Sequence, residues 1–141
     1  MIKEFQRLKE EEHHLEQSEW NAKRFLTKNN YLIQTDAVKN YLLPKKNYKE
    51  NLQWLAYAEE ADILNVALFG FTAKAWRETN PELAQKNNVR DFATIHELTV
   101  LSNLESHNAQ LIKEGKGKEE RFKILQEIAA YQLRVLNTAE Q

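Results

Sequence analysis

The sequence contains no cysteine, only two prolines (Pro44 and Pro81) and only three glycines. Without cysteine there is no disulfide framework, no thiolate metal site and no cysteine nucleophile. An all-β sandwich needs turn residues about every 8–12 positions, and so few glycines and prolines do not supply them. No apolar run reaches the roughly 18–20 residues that span a bilayer, and the N-terminus has no apolar signal segment. The sequence therefore predicts a cytoplasmic protein that makes no membrane contact.

An excess of one charge is also missing, since 20 basic side chains face 21 acidic ones and the formal net charge is -1. This balance excludes a generally basic nucleic-acid coat and a polyacidic tail. The 141 residues suffice for one domain with its own core. Between the few breakers the chain is dense in Leu, Ala, Glu, Lys, Gln and Arg, which are good helix formers. We therefore predict an all-α fold with a single helical domain.

The first third of the chain predicts one long helix, because residues 2 to about 33 contain neither glycine nor proline. Its apolar strip is narrow and is interrupted by the charged segment 9–14, which is typical of a helix that needs a packing partner. Thr35 and Asp36 are expected to cap a short helix that ends near Pro44. We divide the chain accordingly into a long N-terminal helix over 1–34 and a helical C-terminal domain over 35–141.

The later segments predict helices with identifiable ends. The stretch 48–69 has the broadest apolar stripe, and Gly70 is expected to end that helix in the left-handed conformation. Thr94 and Glu97 have the spacing of a capping box at the start of the next long helix. The segment 115–117, Gly-Lys-Gly, reads as a turn between two long helices, which should form an antiparallel hairpin.

Three aromatic side chains have predicted positions in the fold. Trp76 is predicted to be largely buried, where it would anchor the short helix after Gly70. Trp20 and Tyr31 on the first helix are predicted to be exposed and available to a partner.

Motifs that carry chemistry are few. Glu11 and His14 have the spacing of a di-iron helix, but the sequence has no second Glu-x-x-His pair. His96 and Glu97 begin a near match to the zinc-protease motif H-E-x-x-H, in which the second histidine is replaced by Val100. We therefore predict no catalytic residue, no metal site and no cofactor.

One small basic patch could touch nucleic acid. It consists of Lys45, Lys46 and Lys49, which are predicted to make weak phosphate contacts, although a solvated loop explains the same letters more simply.

Four segments resemble a known family. IKEFQRLK (2–9) resembles the segment that closes the N-terminal KilA-N domain of phage-related bacterial DNA-binding proteins. The other three resemble the stretch that follows this domain: AEEADILNVALFGFTAKAWR (58–77), VRDFATIHEL (89–98) and LSNLES (101–106). The resemblance implies the C-terminal region of an antirepressor-like protein whose DNA-binding half would precede residue 2 and is missing from this chain. The helix over 1–34 would then be the connector from that half, and no catalytic residue is implied.

These observations predict an interaction and oligomerisation domain. It would form a homo-oligomer or engage a phage or host regulatory protein, and DNA would be bound only through the missing upstream domain. The predicted oligomer interface is Ile2, Phe5, Leu8 and Leu15, because a long helix with so narrow an apolar strip needs a partner helix. Two alternatives stay open: a helical DNA-binding domain in its own right, which needs a concentrated basic face, and an unrecognised enzyme, which needs a clustered acid-base or metal pocket.

Overall fold

The computed structural model describes residues 2–46 and 49–139, with side chains from residue 17 onward. The described residues contain no strand, so the all-α prediction is confirmed. A π-helical turn (Val38–Leu42) links the first two helices, and single 3-10 turns occupy Glu50–Leu52, Leu83–Gln85 and Val89–Phe92. The six α-helices are α1 (Ile2–Ala37), α2 (Leu43–Lys46), α3 (Trp54–Phe69), α4 (Ala73–Thr79), α5 (Ile95–Lys113) and α6 (Lys118–Ala139).

Helix α1 continues past the predicted stop, so the predicted cap at Thr35 and Asp36 is wrong. The Thr35 hydroxyl donates to the Leu32 carbonyl oxygen at 2.9 Å, a bond within the helix. Ala37 and Val38 are buried against α5 and α3, and this packing favours continued helix over a cap. Pro44 is tolerated because it lies in the first turn of α2, where the helix does not need its missing N–H.

Three predicted helix ends are confirmed, although the helix predicted over 48–69 begins only at Trp54. Gly70 ends α3 with a φ of 84°, a backbone conformation that glycine adopts without strain. At the start of α5, Thr94 accepts a hydrogen bond from the Glu97 N–H at 3.1 Å, and Glu97 accepts one from the Thr94 N–H at 2.9 Å. Gly115 follows α5 with a φ of 83° and turns the chain into α6.

Helix α5 lies at the centre of the fold. The contacts between α1 and α5 advance along both helices in the same direction. Thr27 donates to the Leu98 carbonyl and Asn30 donates to the Ser102 carbonyl, so these two helices run parallel. Helix α6 returns antiparallel to α5, as the contact of Asn103 with Gln132 shows, and the predicted hairpin is confirmed. Helix α3 packs against both, and the main core cluster consists of Ile63, Leu64, Leu68, Val100, Leu101, Leu104, Leu111, Leu125 and Ala129.

All three aromatic side chains are half-buried, so Trp20 and Tyr31 are less exposed than predicted, and Trp76 is not among the fully buried core residues. Trp76 has its ring 5.9 Å from that of the exposed Phe92. Trp20 donates its indole N–H to the Ala93 carbonyl at 3.1 Å, and Tyr31 lies beneath the Arg90 guanidinium. Trp20 and Tyr31 therefore belong to the contact of α1 with the segment before α5.

Candidate functional site

The predicted oligomer interface lies on the first turns of α1. The side chains of Ile2, Phe5, Leu8 and Leu15 lie outside the described residues, and their role stays a prediction.

The predicted phosphate contacts lie beside the α5–α6 turn. Lys46 pairs with Glu59 at 3.9 Å, and the Lys45 Nζ lies against Gly115, 3.3 Å from where a Cβ atom would stand. Lys49 is exposed. Glu59 also pairs with Lys118 at 3.2 Å, so charges of both signs meet at this turn. The phosphate-contact role of Lys45, Lys46 and Lys49 stays a prediction.

Four buried polar side chains, each from a different helix, form one hydrogen-bonded network. Arg121 of α6 forms a bidentate ion pair with Glu60 of α3. Its Nη1 donates to Oε1, and its Nη2 donates to Oε2 at 3.0 Å. Asn108 of α5 accepts from Arg121 Nη1 at 2.9 Å and donates to Glu60 Oε1 at 2.9 Å. It also donates to Gln34 Oε1 of α1 at 3.0 Å. The network therefore ties four helices together by satisfied polar contacts.

Sequence reasoning missed this network. Glu60 is one of three acidic residues in the segment 58–62, and the sequence does not distinguish it from the half-exposed Glu59. The helical register is the one available signal, because Glu60 shares a helix face with Ile63 and Leu64, which the core buries. Because the Glu60 carboxylate and the Arg121 guanidinium are paired with each other, this network is better suited to stabilising the fold than to binding a ligand or catalysing a reaction.

A second buried carboxylate is held much more loosely. Glu105 of α5 has no exposed surface, and neither of its carboxylate oxygens accepts a hydrogen bond. Its partner is Arg90 from the turn before α5, whose Nη1 lies 3.5 Å from Oε1. Burial raises the pKa of the Glu105 carboxyl from 4.5 to about 7, although the attraction of the Arg90 guanidinium lowers it. Glu105 is therefore able to exchange a proton near neutral pH.

Above Arg90 lies a cleft of about 370 Å³ between α1 and the loop that precedes α5. Arg24 pairs with Asp91 at 3.0 Å at one side of this cleft. Lys28 is exposed and forms no ion pair with any side chain in the described part of the chain. The residues that line the cleft, here named the Arg90 cleft, are Arg24, Phe25, Lys28, Tyr31, Asn88 and Arg90.

The outward face of α1 carries a row of exposed apolar side chains. The spacing is seven residues between Leu26 and Ile33 and seven between Phe25 and Leu32, so the four share one helix face. Asn29 lies between the two pairs and is exposed as well. We name this surface the outer α1 face: Phe25 (65% exposed), Leu26 (47%), Leu32 (60%) and Ile33 (51%).

The described residues contain neither a metal-ligand cluster nor a membrane-spanning helix. No group of three or more His, Asp or Glu side chains there could hold a metal ion. No helix there is both long and apolar enough to cross a membrane.

The sequence was compared with models of protein families, with curated proteins and with solved structures, and none of these comparisons found a match. We therefore infer the function from the geometry of the Arg90 cleft and of the outer α1 face.

Proposed function

We propose that this chain is a helical interaction and oligomerisation domain that pairs with a second copy of itself through the outer α1 face. The supporting observation is the exposure of four large apolar side chains on one stripe of a helix whose opposite side is already packed on α5. An apolar stripe of this size on a folded surface marks an interaction site more often than chance exposure.

The spacing of the stripe favours another helix as the partner. Residues seven positions apart lie on the same helix face every two turns. A stripe with this repeat packs best on a helix that has the same repeat. An Asn at one such position, as at Asn29, favours one register of the pair at some cost in stability. Leu8, Leu15 and Ala22 stand at seven-residue steps before Asn29, which places the two leucines of the predicted interface on the same helix face as the outer α1 face. A second copy of α1 supplies the matching repeat, and two-fold pairing is the commonest symmetry.

The resemblance extends this proposal. In a KilA-N-type phage-related protein, the KilA-N domain would contact DNA and a domain such as this one would bring two copies together. No catalytic activity forms part of the proposal.

Sedimentation equilibrium tests the pairing. The chain is expected to show a concentration-dependent monomer–dimer equilibrium in the micromolar range, and Leu26→Glu should shift it to monomer because the charge would have to be buried in the interface. Leu83→Glu is the matched control, since Leu83 is similarly exposed (45%) and lies outside α1. A monomeric wild type, or a Leu26→Glu variant that associates as strongly as the wild type, would contradict the proposal.

A further inference from the structure

The Arg90 guanidinium has unused binding capacity. It carries five N–H donors in a planar fork. Within the described residues its side-chain contacts are the 3.5 Å ion pair with Glu105 and the ring of Tyr31, 5.5 Å from its central carbon. The two contacts orient the guanidinium and leave most of its donors free for a ligand at the cleft.

The Arg90 cleft is positive on balance. It contains the cations of Arg24, Lys28 and Arg90, and the carboxylates that face them are Asp91, on Arg24, and Glu105, beneath Arg90. Even with both carboxylates charged, the Lys28 ammonium is uncompensated. A cleft with an excess of positive charge attracts anions.

The cleft also has an aromatic wall. The Phe25 ring is largely exposed and lines the same cleft as the half-buried Tyr31. An Arg fork beside an exposed ring matches a ligand that joins an oxyanion to a flat group. The volume of about 370 Å³ is near the lower end of the range for small-molecule sites, which suits a ligand of nucleotide size.

We propose that the Arg90 cleft binds a small phosphate ester that carries a flat ring, of the mononucleotide class. Arg90 and Lys28 take the phosphate oxygens, and the ring packs on Phe25. This proposal and the pairing through α1 share Phe25, which lines the cleft and also belongs to the outer α1 face, whereas the main cations, Arg90 and Lys28, lie outside that face.

Glu105 gives the site a dependence on pH. A phosphate on Arg90 places negative charge near the buried carboxylate, so binding favours the protonated form of Glu105. The charged groups around this carboxylate are Arg90 itself, from the turn before α5, and then the cleft cations Arg24 and Lys28 from α1, with Asp91 on Arg24. No histidine lines the cleft. Anion affinity should therefore rise as pH falls through about 7.

Calorimetric titration with AMP, inorganic phosphate and adenosine tests the ligand class. AMP is expected to bind more tightly than phosphate, and adenosine is expected not to bind. Lys28→Glu should weaken AMP binding at least about tenfold, because it replaces a charge-assisted contact with repulsion. Lys123→Glu is the control, an equal charge change at an exposed lysine of α6 that does not line the cleft.

Two results of this titration would overturn the proposal: no AMP binding at millimolar concentration, or equal losses in the two lysine variants. Leu26→Glu separates it from the pairing proposal, because that variant should lose dimerisation and keep AMP binding.

A second titration isolates the part played by Glu105. Inorganic sulfate is the probe, since its charge stays constant around neutral pH whereas a phosphate ester titrates near pH 6. Sulfate affinity, followed by NMR shifts, should rise several-fold between about pH 8 and about pH 6 in the wild type and stay flat in Glu105→Gln. An equal pH dependence of sulfate affinity in both proteins would show that Glu105 does not affect anion binding at the cleft.

Discussion

Glu60 and Glu105 are both buried carboxylates that face an arginine, and the protein holds them in opposite ways. Glu60 receives two nitrogens of Arg121 and the amide of Asn108, so both of its oxygens are paired. Glu105 has one contact, the 3.5 Å ion pair with the partly exposed Arg90, and its oxygens accept no hydrogen bond. The contrast shows that burial alone does not determine whether a carboxylate stabilises the fold or exchanges a proton. A fully paired carboxylate fixes the fold, whereas a loosely paired one can exchange a proton.

The largest expected effect is at the paired carboxylate. Arg121→Met should lower the free energy of unfolding by about 3–5 kcal/mol, because it leaves the Glu60 charge buried without compensation. The double variant Glu60→Leu with Arg121→Met should recover most of this loss, since it buries no charge. Urea denaturation measures both. A single-variant loss below about 1 kcal/mol would mean that the network adds little to stability.

The second effect is the pH dependence of stability at Glu105. The folded protein keeps this proton up to a pKa of about 7, whereas the ordinary value is 4.5, so the folded state binds more protons between these values. Stability contributed by this group is therefore highest below about pH 4.5 and falls as pH rises through 7. Relative to Glu105→Gln, the wild type should lose about 3 kcal/mol between about pH 4 and about pH 8.

Urea denaturation of both proteins across this range checks the prediction, and other titrating groups cancel in the comparison. Parallel stability profiles would show that Glu105 titrates at its ordinary pKa and that the contrast with Glu60 is one of geometry alone.

The smallest effect is at the partner of the loose carboxylate. Arg90→Gln should cost only about 1 kcal/mol near pH 6, because Glu105, with a pKa of about 7, is already largely protonated there and leaves little buried charge when its cation is removed. Arg121→Gln is the matched substitution, and it should cost several-fold more at the same pH. Thermal unfolding of the two variants side by side gives the ratio. Equal costs would place both arginines in the same structural role.

The fold was predictable from the sequence because its decisive signals are local. The capping box of Thr94 and Glu97 lies within four residues, and Gly70 and Gly115 mark ends where a positive φ is needed. The continuation of α1 through Thr35 and Asp36 was not predictable, because it depends on the burial of Val38 among residues distant in sequence.

The candidate sites depend on residues that are distant in sequence. Glu60 and Arg121 are 61 positions apart, and apart from the helical register of Glu60 neither has a local feature that distinguishes it from its charged neighbours. The same is true of Arg90 and Tyr31, which meet only because α1 packs beside the segment before α5. Three of the four residues of the outer α1 face, Phe25, Leu26 and Ile33, have the spacing of an apolar helical strip in the sequence, but only the fold shows which side of α1 packs on α5.

The parallel contact of α1 with α5 also has a consequence for how the chain acquires its structure. Thr27 meets a partner 71 positions later, so α1 leaves the ribosome well before α5 exists. At typical synthesis rates of about 5–20 residues per second, that interval lasts roughly 4–14 s. The α5–α6 hairpin needs only local contacts and forms readily, whereas closing the long loop back to α1 is slow. Helix α1 is therefore expected to dock last, and until then both its polar inner side and its apolar outer side are open to other newly made chains.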